Sequence, residues 1–207
     1  MLVKELIDRV KKGVKKLTDK LYILDELRES SEKKILHISD TPDLIYPFIF
    51  EAIDRLRADV VIHTGDLADN VKLGSGAPLD LYKEKAGILI EGLVARQWAD
   101  IYIVPGNHDA GDFIEGLGSR VKIMEEGSLI TVNGIEIGLA HYGNRLPEKA
   151  DIKLYGHNIK NYEEEGTVVL NGIMNISVIL IPSLKIYPIS YPLVTAQERK
   201  YKRLKLP

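Results

Sequence analysis

The sequence predicts an α/β fold in which two β-sheets pack face to face with helices on the outside. Three apolar, β-branched runs (35–40, 60–63 and 99–104) alternate with stretches of helical apolar spacing, the order that builds a parallel sheet through right-handed crossovers. Past Val121 the helical spacing gives way to short strands, two of which, 128–132 and 135–140, flank Asn133-Gly134, a strong two-residue hairpin signal. The 207 residues, 45% of them hydrophobic, can bury a full core in one domain carrying an appendage.

The elements follow in order. Val3, Ile7, Val10, Val14, Leu17, Leu21 and Leu24 alternate steps of four and three, a heptad seam that predicts one long amphipathic helix to about Glu29. Gly13 costs that helix about 1 kcal/mol relative to Ala. The seam can pack on the chain's own domain or make a homodimer. The opposite face, with Lys4, Arg9, Lys11, Lys12, Lys15, Lys16 and Lys20, is basic, but an apolar face without Trp or Phe disfavours a membrane-surface helix. Residues 1–30 are therefore read as an N-terminal helix, 31–186 as the α/β domain and 187–207 as a basic C-terminal tail. Within the domain, Ile49, Ala52, Ile53 and Leu56 mark a helix over 48–57, and 81–94 is the next. Further strands are expected at 152–155, 167–170 and 177–181.

Composition removes several function classes. A net charge of -2 with 28% charged residues gives no global field for nucleic acid or an anionic membrane. The tail's Arg199, Lys200, Lys202, Arg203 and Lys205 keep nucleic acid possible without favouring it. The chain has no cysteine, so disulfides and thiolate metal sites are excluded. Lys4, Glu5, Asp8 and Arg9 interrupt any apolar signal core, and no stretch reaches the roughly 18 apolar residues of a membrane span. A cytoplasmic protein is expected.

The chemistry lies where the apolar runs stop. ILHISD ends in Asp40, VVIHTGDLAD in Asp66 and Asp69, and IYIVPGNHD in Asn107, His108 and Asp109. Strands that deliver oxygen and nitrogen groups at their carboxyl ends, where open α/β sheets bind ligands, predict one metal site. Such donors suit Mn, Mg, Fe or Zn. His37 and His63 lie inside apolar runs and read as core histidines. Gly74-Ser75-Gly76 lacks the Lys of a phosphate loop and reads as a flexible connection; Gly116 to Ser119 reads as a turn.

The motifs ISDTP, GDLAD, GNHD, AHYGN and YGHN, in this order from about Lys34 to Ser183, resemble those of the calcineurin-like metallophosphoesterases. The resemblance implies a two-sheet α/β sandwich and two metal ions bridged by Asp66. Asp40 would bind the first ion; Asn107, His141 and His157 would bind the second. His108 would meet the phosphate or the leaving group, while Asp69 is read as orienting the Asp66 loop. The chain departs from the family pattern twice. Asp-x-His is here Asp40-Thr41-Pro42, and Gly-His-x-His is Gly156-His157-Asn158-Ile159. Both missing histidines belong to the first ion, and none of the chain's 5 histidines is spare to replace them. Asp43 and Asn158 are possible oxygen substitutes.

The implied function is hydrolysis of a phosphate mono- or diester by a metal-bound water, with one ion held firmly and a second weak or absent. Two other readings stay open: an inactive module that keeps one ion and binds a phosphate or a partner, and a scaffold whose pocket is residual. The loops 71–79, 109–120 and 158–166 carry no recognisable substrate code.

Overall fold

Ten strands can be followed in the computed structural model, which describes residues 21–116 and 120–199. They are β1 (Lys33–Ile38), β2 (Val60–His63), β3 (Asp100–Ile103), β4 (Val121–Ile123), β5 (Ser128–Val132), β6 (Ile135–Leu139), β7 (Ile152–Tyr155), β8 (Val168–Asn171), β9 (Ile176–Ile181) and β10 (Ile186–Ile189). The helices are α1 (Asp25–Glu29), α2 (Tyr46–Leu56), α3 (Leu79–Val94), α4 (Gly111–Glu115) and α5 (Val194–Glu198). One sheet has six strands in the order β10-β9-β1-β2-β3-β4, and the other has four in the order β5-β6-β7-β8. Strands β1 to β4 are mutually parallel, as are β6, β7 and β8. This is the α/β sandwich that the sequence predicts.

The pleat of the larger sheet sorts its side chains into two cores. Leu36, Ile38, Val61, Ile101, Ile103, Val178 and Leu180 face a layer that holds Ile49, Ile53 and Leu56 of α2 and Ala86, Leu89 and Leu93 of α3. Their neighbours Ile35, Val60, Ile62, Ile179 and Ile181 face the second sheet and pack with Ile130, Ile137, Leu139, Ile152 and Leu154. Strands buried on both faces are apolar without alternation, which is why these runs read as continuous Ile and Val. At Asn133 and Gly134, φ values of 48° and 82° give the left-handed pair that the β5–β6 hairpin requires.

Both ends of the described span differ from the sequence reading. The seam positions Val3 to Leu17 and the basic positions from Lys200 onward lie outside the described residues, as do residues 117–119. Where description begins, 21–24 is not helical, and α1 covers only Asp25–Glu29. Alternation explains the difference: Leu21 and Ile23 point into the helix-side core as residues of an extended segment do, and Arg55 Nη1 anchors the Leu21 carbonyl at 3.1 Å. The tail assignment from 187 is corrected too. β10 pairs antiparallel with β9 at the sheet edge, where Pro188 needs no ladder partner for a missing N–H, and Arg199 is 3% exposed. Among the described residues no helix is long and apolar enough to cross a membrane.

Candidate metal centre

Parallel strands in both sheets end along one edge, so β1, β2, β3, β6 and β7 bring together Asp40, Asp66, 105–109, His141 and His157. Leaving a strand to turn toward a common point bends the backbone hard. Asp40, Asp66 and His157 have φ of 52°, 57° and 69°, left-handed conformations that non-glycine residues rarely adopt and that concentrate at functional sites. Two glycines make room for the convergence. A Cβ on Gly65, whose φ is 99°, would lie 2.5 Å from His141 Nδ1, and one on Gly106 would overlap Asp66 Oδ1.

Asn107, His141 and His157 meet atom to atom. Asn107 Oδ1 is 3.0 Å from His141 Nε2 and 2.9 Å from His157 Nδ1, and the two ring nitrogens are 3.2 Å apart. His141 is fully buried, and its Nδ1–H donates to the Thr64 carbonyl at 2.7 Å, so in the neutral ring Nε2 presents a lone pair to the other two atoms. One proton on His157 Nδ1 satisfies one facing acceptor at a time; a divalent cation would satisfy all three atoms. Tyr142 braces the pair, with its ring centroid 4.1 Å from that of His157 and 5.0 Å from that of His141. Asp66 Oδ2 is 3.8 Å from His141 Nε2, while Asp66 Oδ1 accepts the His108 backbone N–H at 3.0 Å.

On the other side of Asp66, oxygens of Asp40, Asp66 and Asp69 lie within 4.8 Å of one another, and all three residues are buried. Burial, then Asp40 and Asp109, push the Asp66 carboxyl well above the usual carboxylate range. Asp69 is pushed up to about 6, chiefly by burial and then by Asp40, with Lys72 acting against the rise. Asp69 Oδ2 is buried without a hydrogen-bond partner. Crowded carboxylates and an orphaned oxygen suit a cation, so the donor set fits a divalent metal on the residues' own chemistry. Neither substitute oxygen joins in: Asp43 bonds Asn70 and pairs with Lys85, and Asn158 Oδ1 accepts the Lys160 N–H. Pro42 is buried, and Ile159 is 43% exposed.

His108 lies on the open face, where burial and Lys72 lower its pKa. Its Nδ1 accepts the Gly74 N–H at 3.3 Å, so 74–76 is not a free connection but a short 3-10 turn, Leu73–Ser75, seated against the site. The orienting role expected of Asp69 is performed by Asp109 instead. Asp109 accepts the N–H groups of Gly106, Asp66 and Leu67 at 2.7, 2.9 and 2.9 Å and the Tyr82 hydroxyl at 2.8 Å. Its position after His108 identifies it as polar, but nothing in the sequence reveals four donors from three segments. Arg199 was equally illegible: its guanidinium donates to the Asp40, Ser39 and Ile173 carbonyls at 2.6, 2.9 and 2.7 Å, pinning the Asp40 turn from 159 residues away. His37 and His63 are core histidines. His37 Nε2 meets Thr64 Oγ1 at 3.0 Å, and His63 bonds Thr41 Oγ1 and the Gly65 N–H. Burial lowers the His37 pKa to about 3 and that of His63 well below its ordinary value.

A sequence model described as calcineurin-like phosphoesterase matches residues 33–196. No curated protein matches the chain. Among solved structures, a novel archaeal phosphodiesterase superposes with a TM-score of 0.53 at 18% identity, covering 76% of this chain and 99% of that one. Yfce, a phosphoesterase from E. coli, superposes with a TM-score of 0.51 at 15% identity, covering 76% of this chain and 98% of that one. At these identities the likeness concerns the fold.

Proposed function

The chain belongs to the calcineurin-like phosphoesterase family, and from that premise we propose that it hydrolyses a phosphate ester with one firmly held divalent ion. The observation that carries this reading is the meeting of Asn107 Oδ1, His141 Nε2 and His157 Nδ1 within 3.2 Å beside the Asp66 carboxylate. These four residues would hold the ion, and Asp40 would contribute on the Asp66 side. A bound divalent ion supplies Lewis acidity toward a phosphoryl oxygen and makes a water acidic enough to attack near neutral pH.

The chain's own groups do the rest. The Thr64 carbonyl fixes the His141 tautomer so that Nε2 faces the site. Asp109 holds the turns bearing Asp66 and Asn107 in register before substrate arrives, so little reorganisation accompanies binding. His108, half exposed and with its pKa lowered, is placed on the open face to interact with a phosphoryl oxygen or the departing group. The firmly held ion would be Mn, Fe, Zn or Mg, whereas an oxygen-rich, water-filled shell on the Asp40 side would favour Mn or Mg over Zn.

Hydrolysis of a nitrophenyl phosphate mono- or diester tests the reading across Mn, Mg, Fe, Co and Zn. The expected result is metal-dependent turnover that Asn107→Ala abolishes. Absence of turnover with all five metals, with ion binding retained, would favour the second reading, a module that binds phosphate or a partner without hydrolysis. Buried Pro42 and exposed Ile159, which offer no ligand at the two altered motif positions, support that alternative. A homodimer through the segment before residue 21 and contact between nucleic acid and the basic residues from Lys200 onward stay as further proposals; a truncation at each end, followed by solution mass and salt-dependent retention on DNA, tests them.

A further inference from the structure

Three buried carboxylates, those of Asp40, Asp66 and Asp69, share one small volume and need positive charge nearby, and the two positions where the family pattern would place histidines on their side are Pro42 and Ile159. One cation is already present. Lys72 Nζ pairs with Asp69 Oδ1, at side-chain exposures of 26% and 1%, so the ammonium reaches the cluster from the solvent side. The turn that follows it is seated on the site, because the Gly74 N–H donates to His108 Nδ1 at 3.3 Å. Its charge reaches the open face as well, where it lowers the pKa of His108, after the larger effect of burial. Arg199 does not compete for this place, because its three bonds to main-chain carbonyls hold it behind the Asp40 turn.

We propose that Lys72 is a built-in cation for the Asp40–Asp66–Asp69 cluster, filling the electrostatic place of a second divalent ion, so that the chain binds one ion rather than two. The inference rests on the reading that Asp66, Asn107, His141 and His157 hold an ion. Charge balance supports it: the four carboxylates of Asp40, Asp66, Asp69 and Asp109 are neutralised by one divalent ion together with Lys72 and Arg199, and a second divalent ion would leave the cluster overcharged. A lysine suits the task. Its ammonium is a compact charge on a flexible stem, able to pair with Asp69 in the resting site and to swing toward a phosphoryl oxygen when an ester occupies the face.

Equilibrium dialysis of the full chain against Mn, followed by elemental analysis, tests this without reference to turnover. Wild type and the charge-keeping Lys72→Arg are expected to bind one ion per chain, and the near-isosteric, uncharged Lys72→Met two. A second arm adds nitrogen ligands: Pro42→His with Ile159→His is expected to gain a second ion only when Lys72→Met is also present. One ion in folded Lys72→Met, two ions in wild type, or a second ion gained with Lys72 intact would each overturn the inference while leaving the Asn107–His141–His157 site standing. A wild-type chain that binds no ion would instead remove that site, and the inference with it.

Discussion

The two sides of Asp66 are built from the same strand ends but differ in chemistry. On one side Asn107, His141 and His157 point three donor atoms at one another, with the His141 tautomer fixed by a main-chain carbonyl. On the other, Asp40 and Asp69 offer only oxygens, Pro42 and Ile159 offer nothing, and a lysine ammonium rests on Asp69. Both sides are scaffolded with equal care, because Asp40 and His157 share left-handed backbone and the His157 N–H donates to Asp40 Oδ2 at 3.1 Å. The difference therefore concerns donor identity rather than folding: one side presents imidazole nitrogens, and the other presents carboxylate oxygens and an ammonium.

Truncating one motif residue on each side sharpens the contrast most. Asn107→Ala should lower kcat/KM by roughly 1000-fold or more, beyond the ~10- to 100-fold typical of an outer partner, whereas Ile159→Ala should change it about twofold at most. Steady-state kinetics at saturating Mn checks both, and equal losses would break the comparison. Asp109→Asn tests the shared scaffold. Placing an amide where three N–H groups and a hydroxyl now donate should cost about 2 to 3 kcal/mol of stability, read by calorimetry, and should weaken ion binding about 10- to 100-fold.

A pH dependence separates core histidines from site histidines. The folded-state pKa of His37 lies near 3, below its unfolded value of 6.5, so its contribution to stability is complete above pH 6.5 and is lost as pH falls toward about 3. The loss amounts to about 5 kcal/mol at most, at ~1.4 kcal/mol per pKa unit. His37→Leu should flatten the decline of Tm between pH 6.5 and 4. An unchanged slope would mean that other groups, His63 first among them, govern acid unfolding.

Much of this arrangement is legible in the sequence because strand ends carry it. Ile and Val runs closed by Gly-Asp or Gly-Asn-His mark which loops share an edge, and the Asn-Gly pair fixes a hairpin. What stayed hidden depends on contacts distant in sequence. Arg199 lies in a segment whose composition reads as solvated tail, yet it is buried against Asp40. Asp109 looks like one more polar residue of its motif, although its partners come from Asp66, Leu67 and Tyr82. Leu21 and Leu24 continue a helical spacing but belong to an extended segment, because tertiary burial overrides periodicity there.

The contrast between the two sides is tested most directly by pulsed electron paramagnetic resonance of Mn bound to the full chain. Coupling of a single Mn to two imidazole nitrogens, reduced to one in His141→Ala and in His157→Ala, is the expected spectrum. A bound Mn with no nitrogen coupling would place the ion among Asp40, Asp66 and Asp69 and contradict the assignment of the metal to Asn107, His141 and His157.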